Sequence, residues 1–216
     1  MSLMLDDAIG YVTGSDDLFS TAVIGGVLLA LSVFVLPALV LQGYFLRVIR
    51  ETSEGADAIP SFTDWGTLTV DGLKLLAVNL VYGVAVAVPL LVSVPVLIPD
   101  PTAPTDAALY SLFGLTLAAG VLLNFVLPAA YANLALTGSV VGAFHLKTVF
   151  GIAFTAEYLV PWLLSLFVLG VGTLVGGALT LVAVGLPLLF LVFVLVYYLW
   201  GRGVAAATSR RPESTA

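Results

Sequence analysis

The sequence predicts an all-α integral membrane protein, with five transmembrane helices and two interfacial elbow helices on the cytoplasmic side, in a single membrane domain of 216 residues. Three observations carry this. Hydrophobic residues make up 61% of the chain and charged residues 9%, against roughly 45–50% and about 25% in a soluble domain. Apolar runs of about 20 residues, enough to cross a bilayer, recur along it. Lys and Arg fall only in alternate connections between those runs. The same composition excludes disorder, and the absence of cysteine excludes disulfides, thiolate metal sites and cysteine nucleophiles. Seven scattered basic residues against thirteen acidic ones argue against a nucleic-acid partner.

Residues 1–20 form a polar tail. It has no Lys or Arg, and so lacks the positive segment of a cleaved signal peptide. The first span, about 21–44, holds Pro37 near its middle. The first elbow, about 60–74, places Asp64, Thr67, Asp71 and Lys74 at helical spacing opposite Phe62, Trp65, Leu68 and Leu73. A narrow polar stripe of this kind suits a helix lying in the interface plane. Thr63 is its expected N-cap, after Pro60. The second and third spans cover about 75–98 and 107–130, and a second elbow, about 138–153, surrounds His145 and Lys147. The stretch from Thr155 to Trp200 is too long for one span. A turn at Gly176-Gly177 divides it into spans of about 156–175 and 178–200, ahead of a tail over 201–216.

Basic residues in short loops mark the cytoplasmic side. With these spans Arg47, Arg50, Lys74, Lys147, Arg202, Arg210 and Arg211 share one face. The expected protein therefore sits in the cell membrane with its N-terminus outside and its C-terminus in the cytoplasm. Asp6, Asp7, Asp16, Asp17, Asp100 and Asp106 then carry the whole net charge of −6 on the outer face.

Little in the chain suggests chemistry. His145, the single histidine, and Glu157 at the foot of the fourth span are the only candidates for acid–base work, and no catalytic, cofactor-binding or metal-ligating set emerges. The polar groups within the spans are Asn79 and Tyr82 on the second and Asn124 on the third. Both asparagines fall about 10 Å from the inner boundary on antiparallel helices, so they are expected to meet, as helix–helix glue or as the lining of a polar path. Arg47 and Arg50 lie just past the first span. They serve as snorkelling anchors, as ion-pair partners of Asp64 or Asp71, or as contacts to anionic headgroups. Trp65 belongs to the aromatic belt at that interface.

Leu36-Pro37-Ala38 and Leu127-Pro128-Ala129, each followed by a tyrosine and an elbow, suggest a duplicated span–elbow–span unit. A second pattern is more specific. Gly43-Tyr44-Phe45-Leu46-Arg47-Val48-Ile49-Arg50 has the form Gly-Tyr-x-x-Arg-x-x-Arg, and Pro60-Ser61-Phe62-Thr63-Asp64-Trp65-Gly66 and Asp71-Gly72-Leu73-Lys74 follow it. With Ile24-Gly25-Gly26, these segments resemble the uncharacterised membrane family called domain of unknown function 4013. The resemblance implies an integral membrane protein of haloarchaeal type, with no known activity, cofactor or catalytic residue. Two lysines against five arginines, and nine aspartates against four glutamates, agree with such a source. The expected function is non-enzymatic, structural or accessory, with the bilayer and other membrane proteins or a second copy as partners. The alternative is a small transporter or channel-like protein for a neutral solute or lipid.

Overall fold

The computed structural model describes residues 2–98, 102, 105–180 and 184–209. They form α1 (Ser2–Thr13), α2 (Leu18–Ala30), α3 (Val35–Ser53), α4 (Trp65–Leu97), α5 (Asp106–Thr137), α6 (Leu146–Ala153), α7 (Ala156–Leu179) and α8 (Gly185–Ser209), with short 3-10 turns at Leu31–Val33 and Val140–Phe144. The all-α membrane fold is as the composition requires. Four helices are long and apolar enough to cross a bilayer: α4, α5, α7 and α8. Met4–Thr13 and Leu18–Val33, bent by 92° against each other, make a fifth candidate.

The first predicted span is not one helix. The ring of Phe190 on α8 touches Tyr44 and stands where a side chain on Gly25 would be. In a straight helix positions 25 and 44 are about 28 Å apart, so the chain must reverse between them, and it does so at the Leu31–Val33 turn and the extended Phe34. Pro37 therefore lies in the first turn of α3, where a missing N–H breaks no hydrogen bond. A sequence reading sees only 24 uncharged, mainly apolar residues here, because the residues of the turn, Leu31 to Phe34, are themselves mostly apolar.

This reversal moves the N-terminus. The 1–20 segment is not a tail: α1 buries Ala8, Tyr11 and Val12, Tyr11 packs on Tyr198 near the middle of α8 at 4.5 Å between ring centroids, and Met4 and Asp7 line a cleft with Arg202 and Ser209 at the end of α8. Asp6, Asp7 and Arg202 line one cleft. The two ends of the described chain thus share one end of the bundle, which overturns their expected placement on opposite sides. Asp6 and Asp7, with Asp16 and Asp17 at the start of α2, leave the supposed acidic outer face. Asp100, Arg210 and Arg211 lie outside the described residues.

Helices pair as antiparallel hairpins, α2 with α3, α4 with α5, and α7 with α8. Small residues set the closest approaches. Gly172 and Gly176 of α7 face Val192 and Leu189, and Gly26 faces Pro187. Gly172 and Gly176 therefore pack helices, and Gly176-Gly177 lies inside α7 instead of turning the chain. α7 runs on to Leu179 and α8 begins at Gly185, with residues 181–183 outside the described set. Gly43 and Gly72 are reciprocal: a side chain on Gly43 would strike the Leu68 carbonyl, and one on Gly72 the Leu39 carbonyl. Only glycine at both positions lets α3 and α4 touch backbone to backbone.

The first elbow is also corrected. Trp65 to Lys74 is the opening of α4 itself, continuous with the second span. Of its polar stripe, Asp71 is buried and turned toward Arg50 of α3, with Lys74 beside it, while Asp64 and Thr67 remain exposed. Thr63 does not cap it; the residue before the helix is Asp64, held in the left-handed region at φ 53°. The second elbow forms as two short pieces, Val140–Phe144 and α6. The two Leu-Pro-Ala segments occupy unlike places, the first turn of α3 and the interior of α5, so the duplicated unit does not describe this fold.

Candidate functional site

The residues of the Gly-Tyr-x-x-Arg-x-x-Arg run converge where α3, α4 and α5 meet. Their spacing explains how. Tyr44 and Arg47 lie one turn apart on α3 and hold the returning loop. The Tyr44 hydroxyl donates to the Pro60 carbonyl at 2.8 Å, and Arg47 Nη1 donates to the carbonyls of Thr63 at 3.0 Å and Ser61 at 3.3 Å. Phe62 stacks on Tyr44 at 4.2 Å, and Trp65, half exposed, stacks on Phe62 at 5.9 Å. Arg50 lies two turns beyond Gly43 and reaches two helices at once. Its Nη2 pairs with Asp71 Oδ2 on α4 at 3.2 Å, and its Nε donates to the Ala135 carbonyl on α5 at 2.9 Å. Lys74 Nζ closes the cluster on Asp71 Oδ1 at 3.0 Å. Asp71 is 4% exposed, so the two cations replace the water its carboxylate has lost. Of the expected ion pairs, Arg50–Asp71 forms; Arg47 binds backbone instead, and Asp64 is an exposed residue of the loop.

Higher on the same helices, Tyr131 donates a short hydrogen bond to Asn79 Oδ1. Tyr82 donates to the Ala143 carbonyl at 2.9 Å and stacks on Phe144. Asn133 donates to the Gly142 carbonyl at 2.6 Å, tying the Val140–Phe144 turn to α5. The predicted meeting of Asn79 with Asn124 does not occur. α5 continues to Thr137 where the sequence reading ended it near 130, and this slides Tyr131 level with Asn79. Asn124 lies about 10 Å further along the helix, in a crevice between α5 and α7.

That crevice begins at a proline. Pro128 has no N–H, so the Asn124 carbonyl four residues earlier loses its helical partner. Trp162 on α7 supplies one, its indole N–H donating at 3.1 Å. The neighbouring Phe125 carbonyl takes the Tyr158 hydroxyl at 2.5 Å. Beyond this clasp α5 and α7 diverge around an apolar space of about 520 Å³. Glu157 lies in the first turn of α7, behind Thr155, whose hydroxyl accepts from the Tyr158 N–H. A carboxylate there favours the helix dipole. His145 opens α6 and is exposed.

Several polar groups lie at points the sequence reading passed over. Gln42 sits within α3, and its Oε1 is buried without a partner among the described residues. Ser165, 1% exposed, accepts the Trp200 indole N–H at 2.9 Å and links α7 to α8. Tyr11 was hidden by reading residues 1–20 as a tail. Its hydroxyl is buried without a partner among the described residues, and burial and the nearby Glu51 hold it above the usual tyrosine range. The spacing of Leu5, Ala8, Ile9 and Val12 was the available signal for α1. Burial also raises the Glu51 carboxyl at the end of α3, against the pull of Arg47. Among the described residues no group of acids and histidine is placed to hold a metal ion.

A family model described as Protein of unknown function (DUF4013) matches residues 26–181. The match takes in the whole α3–α5 junction and the clasp between α5 and α7. No curated protein and no solved structure matches the chain.

Proposed function

The chain belongs to the family of proteins of unknown function DUF4013, and from that premise we propose that it is a non-enzymatic structural or accessory protein of the cell membrane. The supporting observation is how its polar residues are used. Arg47, Arg50, Asp71, Asn79 and Tyr82 each bond to another helical segment or to the loop between α3 and α4, and Lys74 supports Asp71 from one turn along α4. They brace the bundle and leave little for a substrate. The carrier alternative needs a polar path through Asn79, Tyr82 and Asn124, and those side chains point to three separate partners or spaces.

The working surface in this reading is the end that carries α1, the 54–64 loop, α6 and the close of α8. Arg47, Arg50, Lys74, Lys147 and Arg202 all belong to that end, and the bias of basic residues toward the cytoplasm orients it inward. Both ends of the described chain are then cytoplasmic. The aspartate-rich composition supports a high-salt source, where screening holds such charge at little cost. The test is solute flux. Proteoliposomes carrying the purified protein should shrink and swell in glycerol or urea no faster than empty liposomes. Flux that Asn79→Ala abolishes contradicts the structural reading and favours the carrier.

A further inference from the structure

A cleft with two lobes opens between α1 and α8. Asp6 and Asp7 of α1, Asp57 of the α3–α4 loop and Arg202 of α8 line the smaller lobe, about 330 Å³. The larger, about 490 Å³, joins it at Asp7, Tyr198 and Arg202, which line both. Met4, Leu199 and Ala205 give the larger lobe an apolar wall. Its serines are spent: Ser53 donates to the Gly201 carbonyl and Ser209 to the Ala206 carbonyl, each at 3.1 Å.

Two groups where the lobes join are not spent. Tyr198 is 5% exposed, and the described residues give its hydroxyl no hydrogen-bond partner. Arg202, Asp7 and Asp57 are the charges that act on it, which sets that hydroxyl at the cleft. Tyr11, its own hydroxyl also unpartnered among the described residues, packs on the Tyr198 ring and fixes it. Arg202 is half-buried. Among the described residues it forms no ion pair, although three carboxylates line the same lobe.

We propose that this cleft binds an aminophosphate zwitterion, with its phosphate on Arg202 and Tyr198 and its ammonium among Asp6, Asp7 and Asp57. The charges select the class. An anion alone would face three carboxylates. A cation alone would leave the guanidinium unpaired beside it. A zwitterion answers both signs without bringing Arg202 and the aspartates together. The guanidinium fork matches phosphate oxygens, and the Tyr198 hydroxyl is a further donor. Arg202 lies two residues past Trp200, at the depth where aromatic side chains mark the headgroup layer. A phospholipid headgroup and a free aminophosphate present the same chemistry there.

The experiment is calorimetric titration of the full chain in non-ionic detergent. The probes are O-phosphoethanolamine and dihexanoyl phosphatidylethanolamine, with ethanolamine and glycerol phosphate as controls of one charge sign. A zwitterion should bind, and more tightly than either control. Binding of the lipid alone supports a headgroup as the source, and binding of the soluble compound supports a free solute. Arg202→Gln should weaken that binding by about 10-fold or more, and Tyr198→Phe, which keeps the ring against Tyr11, by about 5-fold. Asp7→Asn should weaken the zwitterion and not glycerol phosphate. Neither Arg202→Gln nor Tyr198→Phe removes a hydrogen bond or ion pair found among the described residues, so their melts without ligand should match wild type. Three results overturn the proposal: no binding of either zwitterion, a control that binds as tightly, or an unchanged dissociation constant in both Arg202→Gln and Tyr198→Phe.

Discussion

Arg50→Met tests how the α3–α4–α5 junction is held. The substitution keeps most of the apolar stem and removes the guanidinium. Two bonds are lost. The one to the Ala135 carbonyl, 2.9 Å, is worth about 1 kcal/mol, and the one to Asp71, 3.2 Å, is worth about 1.5–3 kcal/mol as a bond to a charged group. Asp71 stays buried with Lys74 alone, and the Arg50 side chain is 29% exposed, so solvent screens part of the loss. A net cost of about 3 kcal/mol follows. For a chain of this size that is about 6–12 °C of melting temperature. The assay is thermal unfolding in detergent, read by loss of the monodisperse species. Asp71→Asn alone and combined with Arg50→Met completes a double-mutant cycle, which should give a coupling of about 1–2 kcal/mol. Lys74→Met should cost less than either, because Lys74 lies one turn from Asp71 on the same helix and is 32% exposed. A melting temperature within 1 °C of wild type for Arg50→Met, or a cycle without coupling, refutes the reasoning.

Gly43→Ala should destabilise by about 1–3 kcal/mol, since its methyl group meets the Leu68 carbonyl; Gly66→Ala, on the same helix pair with open space above it, should be neutral or mildly stabilising in the same melt. Trp162→Phe should cost about 1 kcal/mol by freeing the Asn124 carbonyl, and less than half of that in a Pro128→Ala background, where the helix regains its own N–H; equal costs in both backgrounds would show that the indole bond does not answer the proline. Glu51→Gln should raise stability at neutral pH, because burial lifts the folded carboxyl above its unfolded value. The folded state is then penalised only above the unfolded pKa, with the penalty growing as pH rises through the folded one, so the gain should fade as pH falls below the ordinary carboxylate range. Melts of both proteins across that window check the sign.

Helix class and most span positions were legible in the sequence because hydrocarbon imposes one pattern, an uncharged run of sufficient length. The Arg50–Asp71 pair was legible only within one of three readings of Arg47 and Arg50, beside snorkelling anchors and headgroup contacts, and there with Asp64 as an equal partner, since charge beside apolar runs marks all of these residues alike. The α2–α3 reversal was not. Its apex, Val33 to Leu36, is exposed and apolar, so composition does not distinguish a turn there from a continuing helix. What fixes it lies far along the chain, in Phe190 and Pro187 meeting Gly25 and Gly26. The Asn79–Tyr131 bond was missed for a related reason. The end of α5 is set by the left-handed Gly138 and not by the end of hydrophobicity, and a shift of seven residues changes which side chains are level. Gly43 and Gly72 looked like ordinary membrane glycines until the crossing of two backbones gave them a reason.

The placement of both ends of the described chain on one side of the bundle is the claim on which the rest turns. Single cysteines at Asp7, Ser209 and Asp106, in a protein with none of its own, can be labelled with a membrane-impermeant maleimide in sealed vesicles of known orientation. Asp7→Cys and Ser209→Cys should react from the same side, and Asp106→Cys, at the far end of α5, from the other. Labelling of Asp7→Cys together with Asp106→Cys, and opposite to Ser209→Cys, would contradict the α2–α3 hairpin and restore a first helix that crosses the membrane once.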